Sequence, residues 1–198
     1  VTTFRGHHDD GAPQTAVKSQ KGLLLRDNVY GTLDQDAARR DLTINALYLD
    51  PVNKLILDDL DGIEDIQQRL VRVIGDPATR YSEDPVRMLR VVRFAAKLGF
   101  TIEEASQAAI SQCMHLLADI PAARLFDETL KLFMAGFAAP TIEHLAKYRL
   151  LEPLFPEAIG AMNEPSSRSL ILKAMANTDA RIARGKPVTP AFLLGALL

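Results

Sequence analysis

The second half of the chain is a succession of helical segments separated by glycine and proline, and this pattern limits the fold more than any other feature. The first helix starts at Ser82 or Asp84, tolerates Pro85 in its opening turn and ends at Gly99. Thr101–Glu104 has the sequence of a capping box that opens the second helix. The later boundaries are marked by Pro121, Gly136, Pro140, Pro153 and Pro156, with helical segments around 166–184 and 190–198. From Ser82 onward the sequence therefore predicts helices only.

Before Ser82 the sequence mixes strand and helix patterns. A short strand is predicted over residues 1–6, and the polar segment 7–20 is predicted to be a mobile loop. The further predicted elements are a helix over Asp34–Tyr48 with Thr32 as N-cap, a hairpin of Leu47–Asp50 with Leu55–Asp58, a helix over Ile63–Leu70 and a strand over Val71–Ile74. The chain is thus predicted to be α+β, with a mixed portion of about 75 residues followed by an all-helical remainder.

Composition restricts the classes of function. The net charge is −2 and the pI is about 6.1, so any nucleic-acid binding must come from a local basic patch. Cys113 is the single cysteine, which excludes a disulfide framework and fits a reducing cytoplasm. The sequence contains no apolar run that approaches a membrane span and no visible signal peptide. Residues 1–5 alternate like a strand and residues 192–198 are apolar, so both ends are predicted to interrupt structural elements.

The segment Tyr81–Arg90 predicts an unusual helix. Arg87 falls on the same face as the apolar residues that follow it, and Asp84, one turn earlier, falls on that side too. An arginine on an apolar face is unfavourable unless it is paired. One explanation is an Asp84–Arg87 ion pair, or a carboxylate that interacts with the helix dipole. The other is that the two residues present a fixed acceptor and a fixed donor to the Watson–Crick edge of adenine.

Two blocks, Arg39–Leu47 ("RRDLTINAL") and Gly75–Arg90 ("GDPATRYSEDPVRMLR"), carry a resemblance to a known family. They resemble the "RRD" and "EDxxR" motifs of the bacterial poly(A) polymerase and CCA-adding enzyme family, a group of class II nucleotidyltransferases. The phrases "TFRGHH", "LLRDN", "RFAAKLGF" and "IPAARLFDETLKLF" favour poly(A) polymerase over the tRNA enzyme. The resemblance implies a partial nucleotidyltransferase head at 1–75, a helical neck with the base-recognition motif at 76–138, and the start of a helical, RNA-binding body at 139–198.

The resemblance also assigns nucleotide-binding residues. Asp84 and Arg87 would pair with the adenine of ATP, oriented by Glu83. The ribose and phosphates would be contacted by Arg39, Arg40 and Asp41, with Asn45 on the same helix side as Asp41. Arginine suits phosphate and a carboxylate suits a ribose hydroxyl. Taken alone, Arg39–Asp41 is typical of a solvated helix face.

Arg90, Arg93 and Lys97 form a separate basic stripe on the same helix. This stripe could contact the phosphates of an RNA primer, although such a stripe is more often the solvent-exposed side of a helix.

The metal site of the family is expected outside this sequence. In the family, Mg²⁺ ions are held by an Asp-x-Asp pair and a third carboxylate, which would lie upstream of Val1. Within the chain, Asp34 and Asp36 would diverge on a helix, and Asp59-Leu60-Asp61 is typical of a turn. His7-His8-Asp9-Asp10 resembles a ligand cluster but lies in a polar loop. We therefore expect no metal ligands and no catalytic carboxylate here, with His115 and His144 in packing positions and Arg124–Glu128 as a helix ion pair.

The resulting hypothesis is that the chain is part of a polynucleotide adenylyltransferase that adds AMP from ATP to RNA 3′ ends, and is inactive alone. RNA-decay proteins are further expected partners. Two alternatives remain: a CCA-adding tRNA nucleotidyltransferase, and a non-catalytic helical module that binds RNA or docks a partner.

Overall fold

The computed structural model describes residues 17–18, 24–26 and 31–197, with side chains from residue 31 onward. Its six short strands are β1 (Val17–Lys18), β2 (Leu24–Arg26), β3 (Tyr48–Asp50), β4 (Leu55–Leu57), β5 (Leu70–Val71) and β6 (Thr101–Ile102). Its helices are α1 (Leu33–Ala38), α2 (Gly62–Gln68), α3 (Pro77–Glu83), α4 (Val86–Leu98), α5 (Glu104–Cys113), α6 (Ala122–Phe133), α7 (Ala138–Lys147), α8 (Leu151–Leu154), α9 (Pro156–Asn163), α10 (Pro165–Ala183) and α11 (Pro190–Leu197). Two 3₁₀ helices cover Thr43–Asn45 and Met114–Asp119. The predicted α+β class is confirmed.

The strands form three separate two-stranded sheets. The predicted hairpin is confirmed: β3 and β4 pair antiparallel, with Tyr48 opposite Leu57 and Asp50 opposite Leu55. Asp50 stabilises the turn because its carboxylate accepts hydrogen bonds from the backbone N–H of Val52 and Asn53. β1 and β2 also pair antiparallel, so Val17–Lys18 is a strand inside the segment predicted as a loop. The predicted strand over 1–6 lies outside the described residues.

The helix predicted over Asp34–Tyr48 is wrong beyond Ala38. α1 has the expected Thr32 capping box but ends there, and the chain then runs alongside residues 72–74. The Thr43 N–H donates to the Arg72 carbonyl (3.1 Å) and the Ile74 N–H donates to the Asp41 carbonyl (3.1 Å). Leu42 is fully buried in this pairing, which a continued helix would not allow. Tertiary packing thus overrides the local helix pattern.

Gly62, the first residue of α2, allows a close approach of α2 to this segment. A Cβ atom at Gly62 would lie 2.5 Å from the Thr43 carbonyl oxygen, which is closer than any side chain tolerates. The buried carboxylate of Asp65 on α2 then accepts a hydrogen bond from the Thr43 hydroxyl (2.6 Å). The segment after α1 is therefore held against α2 as well as against residues 72–74.

The single helix predicted to begin at Ser82 or Asp84 is also corrected, because two helices meet there. α3 ends at Glu83, Asp84 is extended (φ −149°, ψ 93°), and α4 begins after Pro85. The residue before a proline avoids the helical region for steric reasons, so Pro85 accounts for the break. Asp84 consequently lies in the corner between two helices and not on a helix face.

The prediction of helices only after Ser82 misses β6. Thr101–Ile102 pairs parallel with β5, and Glu103 instead caps α5 by accepting from the N–H groups of Ala105 (3.0 Å) and Ser106 (2.9 Å). The later predicted boundaries near Pro121, Pro140 and Pro156 agree with α6, α7 and α9 within two residues.

One apolar core joins the end of the mixed portion to the last helix. Fully or nearly fully buried residues run from Leu42 through Val92, Ile142 and Met175 to Leu197. α4 is central to this core, burying residues on most of its circumference. The predicted division at 75 and 138 stays a prediction, and the core crosses residue 138. Within the described residues, none of the helices is long and apolar enough to span a membrane.

Candidate functional site

Asp36 organises the two arginines that the sequence singled out. Its carboxylate is almost completely buried and accepts hydrogen bonds from Arg39 Nε (2.9 Å), Arg40 Nη2 (2.9 Å) and the Tyr48 hydroxyl (2.8 Å). Arg40 also donates to Tyr48 Oη (3.0 Å) and to the Asn45 carbonyl (2.8 Å). Both arginine side chains are about one-third exposed, at 34% and 35%. They are therefore anchored on one side and accessible on the other.

Burial and hydrogen bonds shift the pKa values of Arg40 and Tyr48 in this cluster. Burial alone would lower the pKa of Arg40, but its hydrogen bonds with Asp36 and Tyr48 outweigh burial and leave the pKa raised. Burial, followed by the hydrogen bond to Asp36, raises the pKa of Tyr48, so the phenol stays neutral. Sequence reasoning missed Asp36 and Tyr48 as site residues. Arg39 and Arg40 follow Asp36 by three and four positions, and this spacing indicates that their side chains can meet on a helix.

Asp41 connects this segment to α4. Its Oδ2 lies 2.5 Å from Arg90 Nε, and its Oδ1 accepts from the Leu42 N–H (3.1 Å) and from Asn45 Nδ2 (3.4 Å). The predicted association of Asp41 with Asn45 is thus present, but through a 3₁₀ turn and not along an α-helix. Arg90 therefore lies beside the predicted nucleotide-binding segment. Of the rest of the basic stripe, Lys97 is exposed and the Arg93 guanidinium lies 5.3 Å from the Phe94 ring centroid.

Arg80 joins the two motifs. Its Nη2 donates to the carbonyl oxygens of Arg39 (3.0 Å) and Arg40 (2.7 Å), and its Nη1 donates to Glu83 Oε2 (3.0 Å). The side chain is 10% exposed. Arg80 was part of the quoted motif, but sequence reasoning assigned it no role. Because its partners are backbone carbonyls about 40 positions away, no local spacing could reveal them.

The structure places Asp84 beside Arg124 of α6. Both carboxylate oxygens of Asp84 accept from Arg124 Nη2, at 2.9 and 2.8 Å, and Oδ1 also accepts from the Val86 N–H (3.3 Å). Among the described residues there is no Asp84–Arg87 ion pair, so that part of the simple explanation is wrong. The bond from the Val86 N–H agrees with its other part, a carboxylate at the start of α4. The predicted Arg124–Glu128 pair is wrong as well, because Glu128 pairs with Lys131 (2.7 Å).

Arg87 retains an unsatisfied donor. Its nearest carboxylate is Glu83, with Nη2 3.9 Å from Oε2, and its Nη1 is buried with no hydrogen-bond partner among the described residues. Burial and the neighbouring charge of Arg80 lower the pKa of Arg87, against the opposing effects of Glu83 and Asp84. Buried donors are nearly always hydrogen-bonded, so this unpaired guanidinium N–H is an unusual feature of the site. The side chain as a whole is 17% exposed.

The predicted nucleotide-binding residues thus converge on one region. Arg80 and Arg90 link the Arg39–Asp41 segment to α3 and α4, on which Glu83 and Arg87 lie. A planar ligand held between Asp84 and Arg87 would meet a carboxylate acceptor and a guanidinium donor.

No group of three or more His, Cys, Asp or Glu side chains that could hold a metal ion occurs in the described part of the chain. Asp58 caps α2 through the N–H groups of Gly62 (2.9 Å) and Ile63 (2.8 Å). Asp61 adopts a left-handed turn conformation (φ 56°), in agreement with the turn predicted at 59–61. His115 is exposed, and His144 lies edge-on to Tyr148 at 6.0 Å between ring centroids. The cluster His7–Asp10 lies outside the described residues.

Two family models match the sequence. Residues 1–72 match the poly A polymerase head domain, and residues 99–162 match the probable RNA and SrmB-binding site of polymerase A. The first match lies within the portion predicted as a head, whereas the second crosses the predicted boundary at 138, with residues 99–138 in the predicted neck and 139–162 in the predicted RNA-binding body.

Individual relatives agree with these matches. The chain is 47% identical over 200 residues to poly(A) polymerase I of Haemophilus influenzae, covering 99% of the chain and 44% of the relative. It is 45% identical over 203 residues to poly(A) polymerase I of Escherichia coli O6:H1, covering 100% of the chain and 43% of the relative. The chain therefore spans less than half the length of these curated relatives.

A solved structure shares the fold. The CCA-adding enzyme of Bacillus stearothermophilus in complex with CTP superposes with a TM-score of 0.63 at 28% identity, covering 85% of this chain and 46% of that one.

Proposed function

The chain belongs to the family of bacterial poly(A) polymerases and CCA-adding enzymes, and from this premise we propose that it is part of an RNA nucleotidyltransferase that adds AMP from ATP to RNA 3′ ends without a template. The observation that supports this proposal most is the buried Nη1 of Arg87, which has no hydrogen-bond partner among the described residues. The extent of identity to the two poly(A) polymerases favours adenylate addition over the alternatives.

Base recognition is proposed to rest on Arg87 and Asp84. Arg87 Nη1 would donate to adenine N1, and Asp84 would accept from the exocyclic amine beside it. Each carboxylate oxygen has two lone pairs, so Asp84 can accept this bond while it remains bound to Arg124. Guanine presents an N–H at its N1, and two donors facing each other would repel. The pair would therefore select adenine over guanine by its hydrogen-bond pattern alone.

The rest of the nucleotide is proposed to contact the Arg39–Asp41 segment. The accessible edges of Arg39 and Arg40 suit phosphate oxygens, since a guanidinium can donate two parallel hydrogen bonds. Asp41, with Asn45 and Arg90 around it, is the group placed to accept from a ribose hydroxyl. Arg93 and Lys97 remain candidates for contact with RNA phosphates.

Mg²⁺ is the metal that phosphoryl transfer in this family implies. The described residues do not supply a ligand set for it. The chemistry argued here is therefore confined to nucleotide recognition: holding the base, orienting the sugar and neutralising phosphate charge.

Steady-state AMP incorporation into an oligo(A) primer by the full-length gene product tests the proposal. Replacing Arg87 with alanine should raise the KM for ATP by about tenfold, because one charge-assisted hydrogen bond is lost. The preference for ATP over GTP should fall in the same variant. Gln107→Ala, an exposed change on α5, is the control and should leave both quantities unchanged. Unaltered KM and base preference in Arg87→Ala, with reduced stability only, would contradict the proposal.

A CCA-adding enzyme is the second candidate, supported by the structural likeness to the enzyme that binds CTP. Incorporation of CTP by the full-length protein onto a tRNA lacking its 3′ end would favour it.

A helical module that binds RNA or a protein such as an RNA-decay factor is a third candidate, supported by the family match over 99–162. Filter binding at two salt concentrations tests this candidate, and tight RNA binding that does not depend on nucleotide would favour it.

The single, buried and unpaired cysteine accords with the reducing cytoplasm where we place the activity.

A further inference from the structure

Arg80 occupies a position that neither base nor sugar recognition explains. It lies near the end of α3 with only 9% of its surface exposed, and it contacts three other residues through its terminal nitrogens. Its Nε is buried and has no hydrogen-bond partner among the described residues. Burying a guanidinium with one N–H unpaired is unfavourable, so the site keeps Arg80 at a cost in stability.

The α3 helix does not require this side chain. Asp76 caps α3 by accepting from the Thr79 N–H (2.8 Å), and Tyr81 anchors the helix through its hydroxyl, which donates to the Ser106 carbonyl (3.1 Å). Arg80 instead points at a distant segment. Its Nη2 binds the two carbonyl oxygens immediately before Asp41.

Those carbonyls belong to the backbone from which Arg39 and Arg40 project. The next residue, Asp41, is held by the Ile74 N–H at its carbonyl and by Arg90 at its carboxylate. Without Arg80, the carbonyls of residues 39 and 40 would lose these bonds, whereas the side chains of Arg39 and Arg40 would keep their contacts with Asp36, Tyr48 and the Asn45 carbonyl. The other end of the Arg80 guanidinium binds Glu83 Oε2, which also lies 3.9 Å from Arg87.

We infer that Arg80 is a positioning residue that fixes the distance between the ribose- and phosphate-contacting segment and the base-reading pair, without touching the nucleotide itself. This inference rests on the proposed function. A rigid planar fork is suited to the task, since it bonds two carbonyls on one nitrogen and a carboxylate on the other. A lysine at this position keeps the charge but concentrates its donors at one point, so it can satisfy only part of this arrangement.

Kinetics of the full-length gene product test the inference. Arg80→Lys should raise the KM for ATP about threefold and Arg80→Ala about tenfold, corresponding to the loss of one and of several hydrogen bonds. The kcat at saturating ATP should change by less than about threefold. The reason is that the substitutions weaken ATP binding but leave the groups that react with the bound nucleotide unchanged. Tyr81→Phe is the matched control, because it removes a buried hydrogen bond of the same helix without touching the Arg39–Asp41 segment. A KM that is unchanged in both Arg80 variants, or raised equally by Tyr81→Phe, would overturn the inference.

Amide hydrogen exchange of the chain without nucleotide provides the second readout. In Arg80→Lys the amides of Thr43 and Ile74 should exchange faster, whereas those in the middle of α4 should not. Tyr81→Phe should leave Thr43 and Ile74 unchanged. If the unmodified protein incorporates no AMP, the proposed function fails, and the exchange data alone then decide whether Arg80 holds the segment. If the Thr43 and Ile74 amides exchange at the same rate in Arg80→Lys as in the unmodified protein, the inference is contradicted, whether or not the protein incorporates AMP.

Discussion

Individual side chains in this structure pair across long sequence separations, and these pairs shape the candidate site. Asp41 meets Arg90, Asp84 meets Arg124, and Arg80 meets the backbone before Asp41. In place of the local pairs Asp84–Arg87 and Arg124–Glu128, Asp84 meets the distant Arg124, while Glu128 pairs locally with Lys131. Spacing in the sequence identifies which residues carry charge, but only the fold determines which of them meet.

Asp36→Asn should destabilise the chain by about 2–3 kcal/mol, because a buried carboxylate is removed while Arg39 and Arg40 remain and are only partly solvated. Urea unfolding followed by circular dichroism measures this loss. Asp34→Asn, an exposed change in the same helix, is the control and should cost less than about 0.5 kcal/mol. Equal effects of the two substitutions would contradict the role assigned to Asp36.

The residues of the candidate site could be predicted in part. Arg39, Arg40, Asp41, Asn45, Glu83, Asp84 and Arg87 were singled out from two motifs, and the structure brings their segments together. Asp36, Tyr48 and Arg80 were not, since their roles depend on burial and on backbone partners that no spacing encodes. Whether these residues bind a nucleotide stays a prediction.

The β3–β4 hairpin and most later helices follow local sequence signals, whereas the segment 39–45 and the junction of α3 with α4 depart from them. The β3–β4 hairpin and the helices α6, α7, α9, α10 and α11 lie close to the predicted positions, since turn residues, prolines and glycines mark their ends. The predicted break at Pro153 is wrong, because Pro153 lies inside α8. The segment 39–45 departs because Leu42 and Val73 pair across the chain. The break between α3 and α4 differs from the prediction because Pro85 does not lie in the opening turn of one helix. It follows the extended residue Asp84, which separates two helices.

The start of α10 gives a pH-dependent prediction. Glu164 accepts hydrogen bonds from the Ser166 hydroxyl and from the N–H groups of Ser166 and Ser167, which lower its pKa to about 2. Because this pKa is lower in the folded chain than in the unfolded chain, the ionised Glu164 carboxylate stabilises the fold at pH values above the ordinary carboxyl pKa. It is lost as the pH falls from about 4.5 to about 2.

Titration of the Glu164 side-chain carboxyl by NMR should give a midpoint near this depressed value. In Glu164→Gln, the acid-induced loss of stability over the same pH range should be smaller than in the unmodified chain. A Glu164 midpoint at the ordinary value of about 4.3 would show that the cap does not form in solution.

Across the whole chain, the continuous core predicts one cooperative unfolding event. Most buried apolar residues from Leu42 to Leu197 belong to one cluster, with Ala37, Ala46 and Ile74 in a second, smaller one, so α11 should not melt separately from α4. Among the described residues, the predicted boundary at 138 would then lie inside one folding unit.

Thermal unfolding of Leu193→Ala tests this cooperativity. Leu193 on α11 is 3% exposed, and its truncation should cost about 2–4 kcal/mol. The Tm of the entire transition should fall by several degrees, with ellipticity and tyrosine fluorescence changing together. Two separated transitions would instead indicate that the last helices fold independently.

The account of adenine recognition is tested most directly with 1-deaza-ATP, in which the N1 acceptor of the base is replaced by C–H. Arg87 donating to N1 predicts that the unmodified full-length protein loses about tenfold in kcat/KM on this analogue relative to ATP. Arg87→Ala should use the two nucleotides equally well, because the hydrogen bond is already gone. An equal loss on 1-deaza-ATP in the unmodified protein and in Arg87→Ala would show that Arg87 does not read the base.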